Sequence, residues 1–175
     1  MKLLHLMDFY NELIIKQDYF ECHEIMEEAW KSKPMFTKKD AEVFLILLAT
    51  GEYHYRRGNI PGAVKSYERA LLLYHENEYD LGALGMTVDL IDMMHERLSR
   101  MPHDAFTPMQ FPLTDHIWQA LHREHAGGMT YEAFRKDSED RFVSDAAVVC
   151  KHRLRDRSDV IREREAAIKK RKHHR

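Results

Sequence analysis

The sequence predicts an all-α protein: an antiparallel bundle of helical hairpins, one of them tetratricopeptide-like, with a helical C-terminal extension. Three observations carry this. Apolar residues recur at three- and four-residue spacing through most of the first 100 positions. Only seven Gly and five Pro punctuate 175 residues, too few for a turn-rich β protein. Cap residues and a first-turn proline stand at the ends of several periodic runs. With 44% hydrophobic and 32% charged residues, the chain can bury one substantial core.

Residues 3–15 place Leu3, Leu6, Phe9, Tyr10, Leu13 and Ile14 on one helical face. The run Lys16-Gln17-Asp18 interrupts them, and Asp18 is an N-cap candidate for a second helix ending near Trp30. On that helix Tyr19, Cys22, Ile25, Met26, Ala29 and Trp30 form the apolar face, with Glu21, Glu24 and Glu28 largely opposite. His23 and Glu27 fall on the boundary. After a loop containing Pro34 and the cap candidate Thr37, residues 41–57 are apolar nearly all round in their first half and predict the most buried helix. Gly58-Asn59 ends it, and Pro61 opens the next helix, where Ala63, Val64, Tyr67, Ala70, Leu71 and Tyr74 repeat at helical spacing.

Gly51, Gly58, Ala63, Tyr67 and Ala70 have the spacing of one tetratricopeptide unit, in which small residues let two helices approach and the aromatic fills the gap. A single unit is not a solenoid, so the expectation is two related hairpins. A further helix is predicted over 81–98, and three prolines mark 101–112 as a joint. The domain division is then 1–100 as the bundle, 101–112 as the joint, and 113–175 as an extension with a basic tail.

The net charge of −2 conceals an asymmetry: residues 151–175 hold eleven Lys or Arg against four Asp or Glu, leaving residues 1–150 at −9. No apolar run is long enough to span a bilayer, and the N-terminus lacks a signal-peptide pattern. Cys22 and Cys150 make neither a disulfide framework nor a zinc site. The expectation is a cytoplasmic protein with two reduced thiols and no membrane partner. Nucleic acid is disfavoured, because the basic tail has no interleaved aromatics to stack bases. A solubilising tail, or docking on the protein's own acidic body or on an acidic partner, explains it better.

The run DYFECHEIMEEAW, followed after the buried helix by YHYRRGNIPGA, resembles the bacterial and archaeal family catalogued as domain of unknown function 309. The resemblance covers roughly residues 8–100 and implies a small all-helical bundle. Its signature positions here are Phe20, Glu21, His23, Glu24, Glu27, Trp30, His54, Gly58, Asn59, Gly62 and Ala63. No activity comes with it.

The candidate polar cluster is His23, Glu24, Glu27, Trp30, His54 and Asn59. His23-Glu24-x-x-Glu27 is one residue type away from the HExxH zinc helix, with a carboxylate where the second His would stand. His23, Glu27 and His54 are the metal-ligand candidates if the hairpins bring them together. The bland reading makes His23 and Glu27 a structural pair covered by Trp30, with Asn59 or Tyr53 satisfying the remainder. A di-iron site is excluded on its usual template, which needs Glu-x-x-His pairs absent at the required places. His116, His122 and His125 read as a surface helix end, and Cys22 as a core residue.

Two functional classes follow. The favoured one is a non-enzymatic protein-interaction module needing no cofactor, with an unidentified protein partner; the apolar excess of residues 41–55 also accommodates a homodimer. The alternative is a small metal-dependent or acid/base enzyme, hydrolase-like, using His23, Glu24, Glu27 and His54 with Glu24 as general base. Only that alternative calls for a divalent metal.

Overall fold

The computed structural model describes residues 3–154 and Arg162. The elements are α1 (Leu3–Tyr10), a wider π-helical stretch (Asn11–Lys16), α2 (Tyr19–Lys31), α3 (Ala41–Arg56) and α4 (Ile60–Asn77). They continue as α5 (Asp89–Arg100), α6 (Asp115–His125), α7 (Tyr131–Asp140) and the one-turn helices α8 (Ala146–Val149) and α9 (Lys151–Leu154). The protein is all-helical, and the helices pack as a bundle. Among the described residues no helix is long and apolar enough to cross a membrane.

Local sequence sets the boundaries of the first four helices. Gln17 takes a left-handed conformation (φ 50°) and ends the first helical run. Asp18 then caps α2, its Oδ1 accepting the Glu21 amide at 3.0 Å. Gly58, at φ 72°, ends α3, and the Asn59 Oδ1 accepts the Gly62 amide at 3.1 Å to start α4. Between α2 and α3 the cap position belongs to Asp40, whose carboxylate folds back onto the Thr37 amide and hydroxyl.

The hairpins are antiparallel. Phe20 of α2 meets Tyr53 of α3, and along the α3–α4 seam Phe44 lies by Tyr74 while Gly51 lies by Tyr67. Gly51 is required there, since a Cβ would overlap the Tyr67 ring. This is the small-residue and aromatic contact that the spacing in the sequence implied.

One expectation fails. Residues 81–88 are not helical: Asp80 caps a turn through the Ala83 amide, Gly85 adopts φ 86°, and helix resumes only at Asp89. Leu84 is still buried, but as a loop residue, and Val88 is 74% exposed while Leu90 and Met94 turn inward. A hydrophobic stripe can be drawn through this stretch, yet a positive-φ glycine held between Tyr10 and Ile117 breaks the helix that the stripe assumes.

Residues 101–114 return beside this loop, with the Thr87 amide donating to Pro112 O and the Thr114 amide to Gly85 O. The buried cluster takes side chains from Leu6 to Phe134, including Met101, Met109 and Phe111 from the proline-rich segment. Helix α6 lies against α1, and α7 against α6 and the π-helical stretch.

Candidate functional site

The signature residues of α2 and α3 occupy two neighbourhoods. On α2, His23 Nδ1 lies 3.1 Å from Glu24 Oε1, and Glu27 holds Lys31 at 2.9 Å one turn on. His23, Glu24 and Glu27 are all partly exposed, and one ligand atom from each lies within 4.8 Å of the others, close enough for a common cation. His54 is not in that group. It sits at the C-terminal end of α3, where its Nδ1 is 3.1 Å from Asn59 Nδ2, and burial followed by the charge of Arg57 lowers its pKa below the ordinary histidine value.

Trp30 makes its contacts with the α2–α3 loop instead. Its indole N–H donates to Thr37 O at 2.8 Å, and its ring meets Phe36 edge-on at 5.0 Å. Trp30 thus braces the α2–α3 loop. Tyr53 is committed as well: its hydroxyl lies 2.6 Å from His152 Nδ1 and accepts the His152 amide.

The chain beyond α7 lies against the end of α2 that carries the signature. Gln17, buried in the break before α2, donates to Arg141 O at 2.8 Å and accepts the Val143 amide at 2.9 Å. Lys151 bridges Asp18 at 2.7 Å and Glu21 at 2.6 Å. Burial alone would lower the Lys151 pKa, but its bonds to the two carboxylates outweigh that and raise it. The first cation of the basic tail therefore docks on the acidic body. Residues 155–161 and 163–175 of the tail lie outside the described residues, and so do the readings attached to them.

Reasoning from the sequence missed a second constellation. Glu52, fully buried on α3, accepts the Tyr67 hydroxyl at 2.5 Å and both Nε and Nη2 of Arg97, at 2.7 and 2.6 Å. Arg97 also donates to Thr107 O at 2.8 Å and lies over the Tyr55 and Phe106 rings. The available signal was Glu52 itself, an acid in a helix read as the most buried, which must find a cation. Its partner lies 45 residues away, beyond the reach of spacing rules.

The signature falls within a segment that a family model matches. The family described as "Domain of unknown function (DUF309)" matches residues 7–66. The chain is also 35% identical over 170 residues to "Uncharacterized protein YpuF" of Bacillus subtilis (strain 168), covering 95% of this chain and 94% of that relative. The chain belongs to the DUF309 family. No solved structure matches it. In this DUF309 chain the matched segment contains all of α2 and α3, and it ends within α4, one residue before Tyr67.

Proposed function

We propose that this chain is a cytoplasmic, non-enzymatic protein-interaction module that docks its partner through the tip of the α2–α3 loop. The observation that carries this reading is an aromatic held rigid in solvent. Phe36 is 49% exposed and Met35 85% exposed, yet the loop bearing them is pinned by the Trp30–Phe36 ring contact, the Trp30–Thr37 bond and the Asp40–Thr37 bonds. Preorganised apolar side chains lose little entropy on docking. Lys33 is neutralised by Asp40 and Glu42, whereas Lys38 and Lys39 stand beside the tip, so the complementary surface is an apolar socket with an acidic rim. Cys22 and Cys150 are unpaired, which supports a reducing compartment.

A photo-crosslinking residue at Met35, with the exposed Leu72 on α4 as control, tests the reading in cells. The expected result is a discrete heterologous adduct from position 35 that Phe36→Asp abolishes without changing the melting temperature. An adduct equally strong from Leu72, or none from position 35, overturns it. An adduct of twice the chain mass identifies a second copy as the partner.

A second reading, a metal-dependent or acid/base enzyme, is favoured by the convergence of the His23, Glu24 and Glu27 ligand atoms. On it, stoichiometric Zn, Mn or Fe raises the melting temperature of the wild type but not of His23→Ala. An unchanged melting temperature with all three metals removes it.

A further inference from the structure

At the C-terminal end of α3, opposite the α2–α3 tip, a cleft of about 610 Å³ opens between α5 and residues 103–110. That volume is within the range of small-molecule sites. Arg97 lines it and is immobilised from behind. Its Nε and one Nη2 bond go to Glu52, its other Nη2 bond goes to Thr107 O, and its plane rests against Tyr55 and Phe106. Nη1 makes none of these bonds. A buried Arg–Glu pair gives little net stability, because desolvation cancels most of its attraction. What the pair does achieve here is a guanidinium fixed at the wall of an open cleft.

The opposing charges determine what fits. Arg100, one turn along α5, donates to Asp104 at 2.7 Å and to Glu96 at 3.2 Å, and all three line the cleft. With Arg97 the four side chains sum to zero, and Glu52 lies behind. A phosphate would face carboxylates on two sides, and a hydrocarbon would strip water from the exposed Arg100, Glu96 and Asp104 without replacing its hydrogen bonds. Met93, Pro108 and Met109 add apolar wall between the charges. We propose that this cleft binds a small zwitterion, a free α-amino acid or dipeptide with an apolar side chain. Its carboxylate meets Arg97 Nη1, its ammonium meets Glu96 and Asp104, and its side chain lies on the methionines.

Calorimetric titration of the full chain tests this with L-leucine, L-methionine, L-phenylalanine and Leu-Gly. Isovalerate (no amine), isopentylamine (no carboxylate) and inorganic phosphate serve as counter-probes. The expected result is saturable binding of at least one zwitterion, weakened about tenfold or more in both single-charge analogues, as loss of a charge-assisted bond requires. Arg97→Ala strands Glu52 and can unfold the chain. The informative variants are therefore Glu96→Gln with Asp104→Asn at the exposed rim, and Arg97→Lys, which keeps the charge opposite Glu52. Both should lose binding while the melting temperature of the rim variant is unchanged. The proposal is overturned if no zwitterion binds up to about 10 mM, which corresponds to under about 3 kcal/mol. It is also overturned if isovalerate binds as tightly as leucine, or if phosphate displaces the ligand. The site is independent of the docking tip, and neither outcome decides the other.

Discussion

Glu52 has the most at stake of any single residue, because a carboxylate with no solvent exposure depends entirely on Arg97 and Tyr67. Replacing either Glu52 or Arg97 with Ala leaves its partner's charge buried and should cost about 3–5 kcal/mol in urea unfolding. Tyr67→Phe removes one neutral donor and should cost about 1 kcal/mol. The triple change Glu52→Leu, Arg97→Met and Tyr67→Phe should recover most of the single-mutant loss, since no buried charge and no buried hydroxyl is then left without a partner. His54 makes a separate prediction about pH. Burial, then Arg57, depresses its pKa in the folded chain below the ordinary 6.5, so the unfolded chain takes up the proton first. The His54 contribution is therefore fully present above pH 6.5 and is lost as pH falls to and through the folded value. Protonation also removes the Nδ1 lone pair facing Asn59 Nδ2. Melting temperatures between pH 7.5 and about 5 should fall less steeply in His54→Gln than in the wild type.

At the scale of elements, the α3–α4 seam is set by one absent side chain. Gly51→Ala would drive a methyl into the Tyr67 ring, which cannot retreat while its hydroxyl is bound to Glu52. We expect a loss of about 1–3 kcal/mol by urea unfolding, largely relieved by Tyr67→Leu. The stretch from Arg141 to Lys151 behaves differently, held to the signature helix by polar clips at Gln17, Asp18 and Glu21. Lys151→Ala should change global stability by less than about 1 kcal/mol because the pair is partly solvated. It should nonetheless raise amide hydrogen exchange at Val143 and His152, as local opening is freed from global unfolding. The sequence announced α1 to α4 through periodicity, with the Asp18 cap and Pro61 marking the starts of α2 and α4, whereas the cap of α3 is Asp40 and not Thr37. It did not announce that residues 81–88 would leave the helix, because Leu84 is buried in a turn as completely as it would be in a helix. The same limit hid the cleft: Arg97 and Asp104 look like ordinary surface charges until the loop closes over Phe106.

For the molecule as a whole, the buried cluster spans both sides of the proline-rich segment, so the bundle's stability draws on residues beyond it. A fragment ending at Arg100 would deprive the buried cluster that holds Tyr10, Leu84 and Met86 of Phe111, Ile117 and Trp118. We expect that fragment to show a lower melting temperature and a less cooperative transition than the intact chain, by circular dichroism and differential scanning calorimetry. The acidic body and basic end meet at Lys151, and raising salt should weaken that contact before it affects the core.

By itself the sequence determined the helical class, the order of the first four helices, the Asp18 cap of α2, the burial of α3 and the family signature. These follow from local rules of period, capping and backbone freedom that act within a few residues. The tertiary structure alone decided which polar groups meet. It divided His23 from His54, turned Trp30 towards Thr37, and joined Glu52 to Arg97. Those pairings rest on contacts between residues far apart in the chain, where charge and burial must be balanced in three dimensions and no periodicity records the partner.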